Sequence, residues 1–156
     1  VNKWTWGTDS ESDIYVDVES RKNSITYRRN LSRLVDQLII ENNFIDAERI
    51  IDNCMQKLPI DKFGYYTLLE PFISSYYRLN RGEKARKIFD EIAAKYQENL
   101  FYYSTFSNSA KNRYAEEIYT DIERYRSLVD VLINFEEEEF LDTRMKEFND
   151  YLDLFL

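Results

Sequence analysis

The chain contains no histidine. That absence removes the commonest general base, the Ser-His nucleophile pair and most zinc sites. Three glycines and two prolines in the whole chain are too few for an all-β fold, which consumes turn residues at every hairpin, so long helices with few connections are expected. A single cysteine, Cys54, forms no internal disulfide; it falls in an apolar helical pattern and reads as a buried, inert thiol. No stretch approaches the roughly 20 apolar residues of a membrane span, and no signal peptide is present. Basic charge is also scarce: 21 Lys and Arg face 29 Asp and Glu, a net charge of −8. A nucleic-acid binder carries a basic face, and an anionic membrane surface repels an acidic chain, so both partners are disfavoured. No glycine-rich phosphate loop occurs. The acids Asp9, Glu11, Asp13 and Asp17 imitate a calcium loop only in part, because its glycine and terminal bidentate glutamate are missing. The run Glu136 to Glu139 is read as a solvated helix start, where negative charge meets the positive end of the helix dipole. No catalytic residue, cofactor or metal site is therefore expected.

What the chain has in abundance is rings and apolar spacing. Aromatic residues make up 16 % of it, with 13 Tyr and 10 Phe. Its length suits one domain with its own core. Residues 1–23 read as an extended arm tied down by Trp4, Trp6 and Tyr15, with Asp13 to Val18 either laid on the body or forming an edge strand. From Ser24 the period becomes helical: Leu31, Leu34, Val35, Leu38 and Ile39 lie on one stripe. "ENN" at 41–43 stops that helix, because Asn favours caps and left-handed turns. Phe44, Ala47, Ile50, Ile51, Cys54 and Leu58 form a second stripe, which Pro59 ends. A third helix spans about Lys62 to Leu79 with Tyr65, Leu69, Phe72, Ile73 and Tyr76 inward; Pro71 requires either a kink or a start near Glu70. Ala85, Ile88, Phe89, Ile92 and Tyr96 mark a fourth helix, which 98–109 extends or follows. Tyr114 to Phe135 reads as a fifth helix and 136–156 as a sixth, the last with Phe140, Leu141, Met145, Phe148, Leu152 and Phe155 on one side.

The pattern around two of these breaks repeats at one interval. Ala47 is matched by Ala85, and Ile50, Ile51 and Cys54 are matched by Ile88, Phe89 and Ile92 at the same distance along the chain. The period, about 38 residues, is typical of helical-pair arrays. Leu31, Leu34, Leu38, Phe44, Ala47, Ile51, Cys54 and Pro59 fall in the register of a tetratricopeptide repeat, with Asn42 at the turn position often given to Gly and Ala47 where close helix approach requires a small side chain. The second copy is poorer, with Gly82 displaced from the turn and Gln97 where Pro is expected. The expected fold is all-α: a right-handed array of about three antiparallel helical pairs, an α-solenoid over 24–156 made of pairs at 24–59 and 62–97 and an atypical capping pair at 108–156. An unrelated six-helix bundle that happens to repeat is the competing arrangement.

In such arrays the first helices line a concave groove that holds a peptide or helix. The register projects Arg29, Ser32, Asp36 and Ile39 from the first pair and Thr67, Glu70, Ser74, Tyr77 and Arg78 from the second into that groove, Tyr and Arg being favoured anchors. The plainer alternative is that Tyr77 packs on a neighbouring helix and Arg78 pairs with an acid.

The residues "WG" at Trp6-Gly7, "YVD" at 15–17, "RRNLSRLVDQLIIENNFIDAERIIDNCMQKLP" from Arg28 to Pro59 and "FISSYYRLNRGEKARKIFDEI" from Phe72 to Ile92 carry a more specific likeness. Over residues 4–105 the chain resembles the C-terminal tail of a family of large bacterial membrane proteins, a domain-of-unknown-function family whose multi-spanning part looks like protein O-mannosyltransferases. The start at Val1 fits a piece of a longer protein. The resemblance implies a parent that is a glycosyltransferase-like membrane enzyme acting on a lipid-linked sugar, with this tail on the periplasmic side. It transfers no catalytic residue to this chain, because the family's would lie in the membrane part. The expected function is a non-catalytic interaction module that holds a partner protein or peptide in its groove beside the parent's membrane domain. Two alternatives stay open: a carbohydrate- or small-ligand-binding domain with an aromatic and carboxylate-lined cleft, and a structural tail packed on the membrane domain.

Overall fold

The computed structural model describes residues 15–135 and 137–155, and these residues form helices with no strand among them. In chain order the helices are α1 (Val18–Ile40), α2 (Phe44–Lys57), α3 (Ile60–Phe63), a 3-10 turn (Tyr66–Leu69), α4 (Glu70–Arg78), α5 (Gly82–Ser104), α6 (Asn108–Arg113), α7 (Ala115–Asn134) and α8 (Glu138–Leu152). The all-α expectation holds among the described residues. The chain separates into two compact units, Val1–Ile88 and Phe89–Leu156, with the boundary inside α5. No described helix is long and apolar enough to cross a membrane.

Unit one is organised around α1, which packs against α2, α3, the 3-10 turn and α4. The helix starts at Val18, ahead of Ser24 where the apolar pattern begins. Asp17 takes the N-cap position and its carboxylate accepts from the backbone N–H groups of Glu19 and Ser20 at 2.9 and 3.0 Å, so 18–23 is helix, not arm. The polar composition of 18–23 hid this start, because caps act through backbone hydrogen bonds that leave no apolar stripe. Trp4, Trp6, Asp9, Glu11, Asp13 and Glu136 lie outside the described residues.

The buried face of α1 is Ser24, Arg28, Leu31, Val35 and Ile39. Leu34, expected inward, sits about 100° round the helix from Val35 and is 41 % exposed. Phe44, at the first position of α2, is also exposed rather than part of the stripe, as is Tyr65. Ala47, Ile51 and Cys54 of α2 are fully enclosed.

Between α2 and α4 the expected single helix breaks into three pieces. Pro59 opens the short α3 instead of simply ending α2. Gly64 and Tyr65 then adopt φ of +64° and +48°, a left-handed corner that no helix continues through. Pro71 falls in the first turn of α4, where its missing N–H is not needed, so α4 begins at Glu70 without a kink.

In unit two, α7 and α8 pack together and α6 leads into α7. α5 runs on to Ser104 instead of ending near Gln97, since no proline stops it there. The core is a ring stack: Tyr96 of α5 lies parallel to Tyr125 of α7 with centroids 5.9 Å apart, and Phe148 of α8 meets Tyr125 edge-on at 5.2 Å. Of the expected apolar side of α8, Phe148 is the buried member; Phe140, Leu141, Met145, Leu152 and Phe155 are half-buried.

Candidate functional site

The turns that join α1 to α2 and α4 to α5 are built alike. Asn42 and Asn80, separated by the repeat interval, both take the left-handed conformation, with φ of 58° and 57°. Asn tolerates this region because its short amide compensates locally for the crowding that other side chains suffer there. The bonds that follow are equivalent. Asn43 N–H donates to the Leu38 carbonyl at 2.8 Å, and Arg81 N–H to the Tyr76 carbonyl at 2.8 Å; Ala47 and Ala85 then donate to Asn43 and Arg81 at 3.1 and 3.0 Å. The second turn therefore belongs to Asn80, and Gly82, which looked like a displaced turn glycine, is already the first residue of α5. Ala47 and Ala85 are both fully enclosed.

The projected groove residues fall into three groups. Arg29 and Arg78 are exposed; Ser32, Asp36, Thr67, Glu70, Ser74 and Tyr77 are half-buried. Ile39 is buried in the core and is not a surface residue. Thr67 lies in the 3-10 turn, away from the regular helix that the register assumed. The two sets meet where Arg78 Nη1 of α4 donates to Asp36 Oδ1 of α1 at 2.9 Å. That pair is the plainer alternative for Arg78, and it ties α4 to α1, against which it packs.

Sequence reasoning missed the polar cluster beside it. Arg81 Nε donates to both Glu48 oxygens at 2.9 and 2.8 Å, and Lys84 Nζ bridges Glu48 at 2.8 Å to both oxygens of Asp52 at 2.8 and 2.7 Å. Tyr76, almost fully buried, donates its hydroxyl to Asp52 at 2.5 Å, and the Lys84 ammonium lies 5.6 Å from its ring centroid. The bonds from Arg81 and Lys84 hold Glu48 below the usual carboxylate range. Burial, then the bond to Asp52, pushes the Tyr76 phenol above its ordinary value, so it stays neutral. Burial presses on the Lys84 ammonium, yet its bonds to Asp52 and Glu48 prevail and keep it charged. A neutral phenol, a firm ammonium and ion-paired acids form a brace between α2, α4 and the start of α5.

Arg28 is the second feature that the apolar pattern could not disclose. Its side chain is wholly enclosed in the stripe of α1. Nη2 donates to the Leu58 carbonyl at 2.6 Å, and Nη1 donates to the carbonyls of Gly64 and Tyr65, the latter at 3.1 Å. The guanidinium thus gathers the carbonyls freed by the end of α2 and by the left-handed corner. An arginine at a core position of a helix is the signal that marks such a staple. Cys54 nearby is enclosed, as its apolar pattern predicts, and burial pushes its thiol up to about 12 against the opposing pull of Arg28.

In unit two, Asp90, Ala93 and Gln97 of α5 and Arg144, Glu147 and Tyr151 of α8 line a cavity of about 470 Å³. Arg144 is fixed on three sides: Nη2 pairs with Asp90 at 2.8 Å, Nη1 with Glu147 at 2.6 Å, and the guanidinium lies 4.7 Å from the Phe140 centroid. Gln97 Nε2 donates to the Tyr125 hydroxyl at 2.7 Å. Burial raises Asp90, opposed by Arg144 and reinforced by Glu147. Among the described residues no group of three or more acidic or cysteine side chains is placed to hold a metal ion. Comparison of the chain with protein-family models, curated proteins and solved structures finds no match.

Proposed function

We propose that the chain is a helical-repeat interaction module of the tetratricopeptide type, and that the side-by-side faces of α1 and α4 receive a protein or peptide partner. The observation that carries this reading is the pair of equivalent turns at Asn42 and Asn80, each followed by an enclosed alanine in the next helix. A repeated turn and a repeated small residue make two helical hairpins of one design, and stacking them places their first helices next to one another. The Asp36–Arg78 pair supports that adjacency. The face then offers Arg29 and Arg78 with Ser32, Ser74, Glu70 and Tyr77, a mixed-charge polar surface suited to an extended or helical peptide. The module acts without catalysis, with the polar cluster of Glu48, Asp52, Arg81 and Lys84 serving as a brace. On the family resemblance it forms the periplasmic tail of a glycosyltransferase-like membrane protein and serves that protein by holding a partner or presenting an acceptor polypeptide.

The test is the double variant Arg29→Ala with Arg78→Ala in the full-length parent. Both side chains are exposed, so the fold, read by circular dichroism and melting, stays intact while recovery of the partner is lost. Unchanged recovery would return the tail to a structural role on the membrane domain. The small-ligand alternative is favoured by a separate observation, the cavity of unit two, and does not depend on the α1–α4 face.

A further inference from the structure

Among the described residues α1 is the leading helix, and one of its flanks is apolar and partly solvated. Tyr27 and Leu34 are 45 % and 41 % exposed, and Leu38, a turn beyond Leu34, is half-buried. At about 100° per residue, Tyr27 and Leu34 lie opposite Asp36, the residue through which α1 meets Arg78 of α4. In an array of helical pairs, an inner first helix has a first helix on either side, so the leading one keeps a flank that the others bury. A terminal unit needs that flank polar or covered. Here it carries large apolar side chains.

We propose that residues 1–14 cap this flank, with Trp4 and Trp6 laid against Leu34 and Leu38. The inference rests on the helical-repeat reading of the chain and is independent of the partner face, which lies on the other side of α1. The point of departure and the length of the arm support it. Val16 is buried and its carbonyl accepts from Arg21 Nε at 2.9 Å, so the arm leaves from a fixed point at the start of α1. Leu34 and Leu38 lie about 24 and 30 Å along the helix from Val18. An extended chain running back from Tyr15 reaches up to about 30 Å at Trp6 and about 36 Å at Trp4. Two positions apart, Trp4 and Trp6 share one side of such a chain at a spacing of about 7 Å. That step matches the rise of about 6 Å between Leu34 and Leu38. The indole rings supply the large apolar cover that the flank requires.

Trp4 and Trp6 are the only tryptophans in the chain, so fluorescence excited selectively at tryptophan reports the arm alone. The experiment is emission and acrylamide quenching of the 156-residue chain at several concentrations, with the urea-unfolded chain as the solvated reference. Because no partner is added, the outcome is separable from partner capture at the α1–α4 face. Emission lies to the blue of the reference and quenching is severalfold weaker, at every concentration. Leu34→Asp moves both toward the reference while circular dichroism reports an intact helical fold; Leu34→Gln serves as the second variant should the aspartate unfold α1. Ile45→Asp, at an 82 % exposed site in the first turn of α2, leaves both unchanged. Native emission and quenching equal to the reference, protection that survives both Leu34 variants, or protection lost equally in Ile45→Asp overturns the proposal. Protection that appears only as concentration rises assigns the flank to a second copy of the chain and overturns it as well.

Discussion

The two units solve the same packing problem with different chemistry. In unit one the helices close on small residues and polar ties: Ala47 and Ala85 are enclosed, and Arg28, Arg81 and Lys84 each bind oxygens from another element. In unit two the equivalent centre is a ring stack of Tyr96, Tyr125 and Phe148, and the polar groups lie at the margin of a cavity. Polar ties are directional, so unit one is pinned to one arrangement; rings bury more area per residue with looser orientation.

The largest effects separate the two cores. Arg28→Ala leaves the Leu58, Gly64 and Tyr65 carbonyls without their enclosed donor and is expected to cost about 3–5 kcal/mol. Phe148→Ala should cost a similar amount, about 3–5 kcal/mol, by opening the ring stack. Rescue distinguishes them in urea unfolding. Phe148→Leu recovers most of the loss because volume is what matters there. Arg28→Lys recovers little, because one ammonium cannot span three carbonyls. Recovery in both would mean that Arg28 acts by bulk alone.

The next effect tests the repeated small residue. Ala47→Leu and Ala85→Leu should each destabilise by about 1–3 kcal/mol through overpacking. Ala115→Leu, at an exposed site in α7, should stay within about 0.5 kcal/mol. Equal tolerance at all three sites would remove the close helix approach from the account.

A smaller effect opposes the two units in acid. Glu48 has a depressed folded value, so its contribution is present above the ordinary glutamate range and is lost as pH falls through that depressed value. Asp121 of unit two, which accepts from Asn99 at 3.1 Å, is raised by burial against the pull of Asn99 and Arg124. Its folded form holds its proton more tightly than the unfolded chain does, so it adds stability as pH falls through its raised value. Glu48→Gln should therefore lower stability at neutral pH and flatten the acid loss. Asp121→Asn should raise it slightly at neutral pH and remove the acid gain. Melting curves across the acid range read both signs. The least effect is at the face itself: removing the Asp36–Arg78 pair by Arg78→Ala should cost less than about 1 kcal/mol, since both side chains are largely solvated.

The helices were legible because α2, α4, α5 and α7 carry apolar stripes at helical spacing, and the Ala47/Ala85 interval is the same as that between the left-handed turns at Asn42 and Asn80. What the sequence withheld follows from interactions without a hydropathic signature. The cap at Asp17 advanced the start of α1 into a polar stretch. The carbonyl-gathering Arg28 made the Gly64–Tyr65 corner possible and broke the expected third helix. The left-handed Asn80 lay in plain view at the repeat interval from Asn42, yet attention to glycine placed the turn at Gly82. Of the projected face, Asp36 and Arg78 meet, while Ile39 belongs to the core; a shift of one helical position decides between surface and interior. The polar clusters at Asp52 and Asp90 depend on partners far along the chain, Lys84 and Arg144, which no local pattern joins.

Photo-crosslinking tests the central claim most directly. A photoreactive residue is placed singly at Ser32 and Ser74, on the proposed face, and at Lys87 in α5 of the same unit, in the protein expressed within cells. The account predicts one partner crosslinked from Ser32 and Ser74, lost on Arg29→Ala with Arg78→Ala, and no such product from Lys87. Crosslinks that favour Lys87, or that ignore the arginine substitutions, would contradict it.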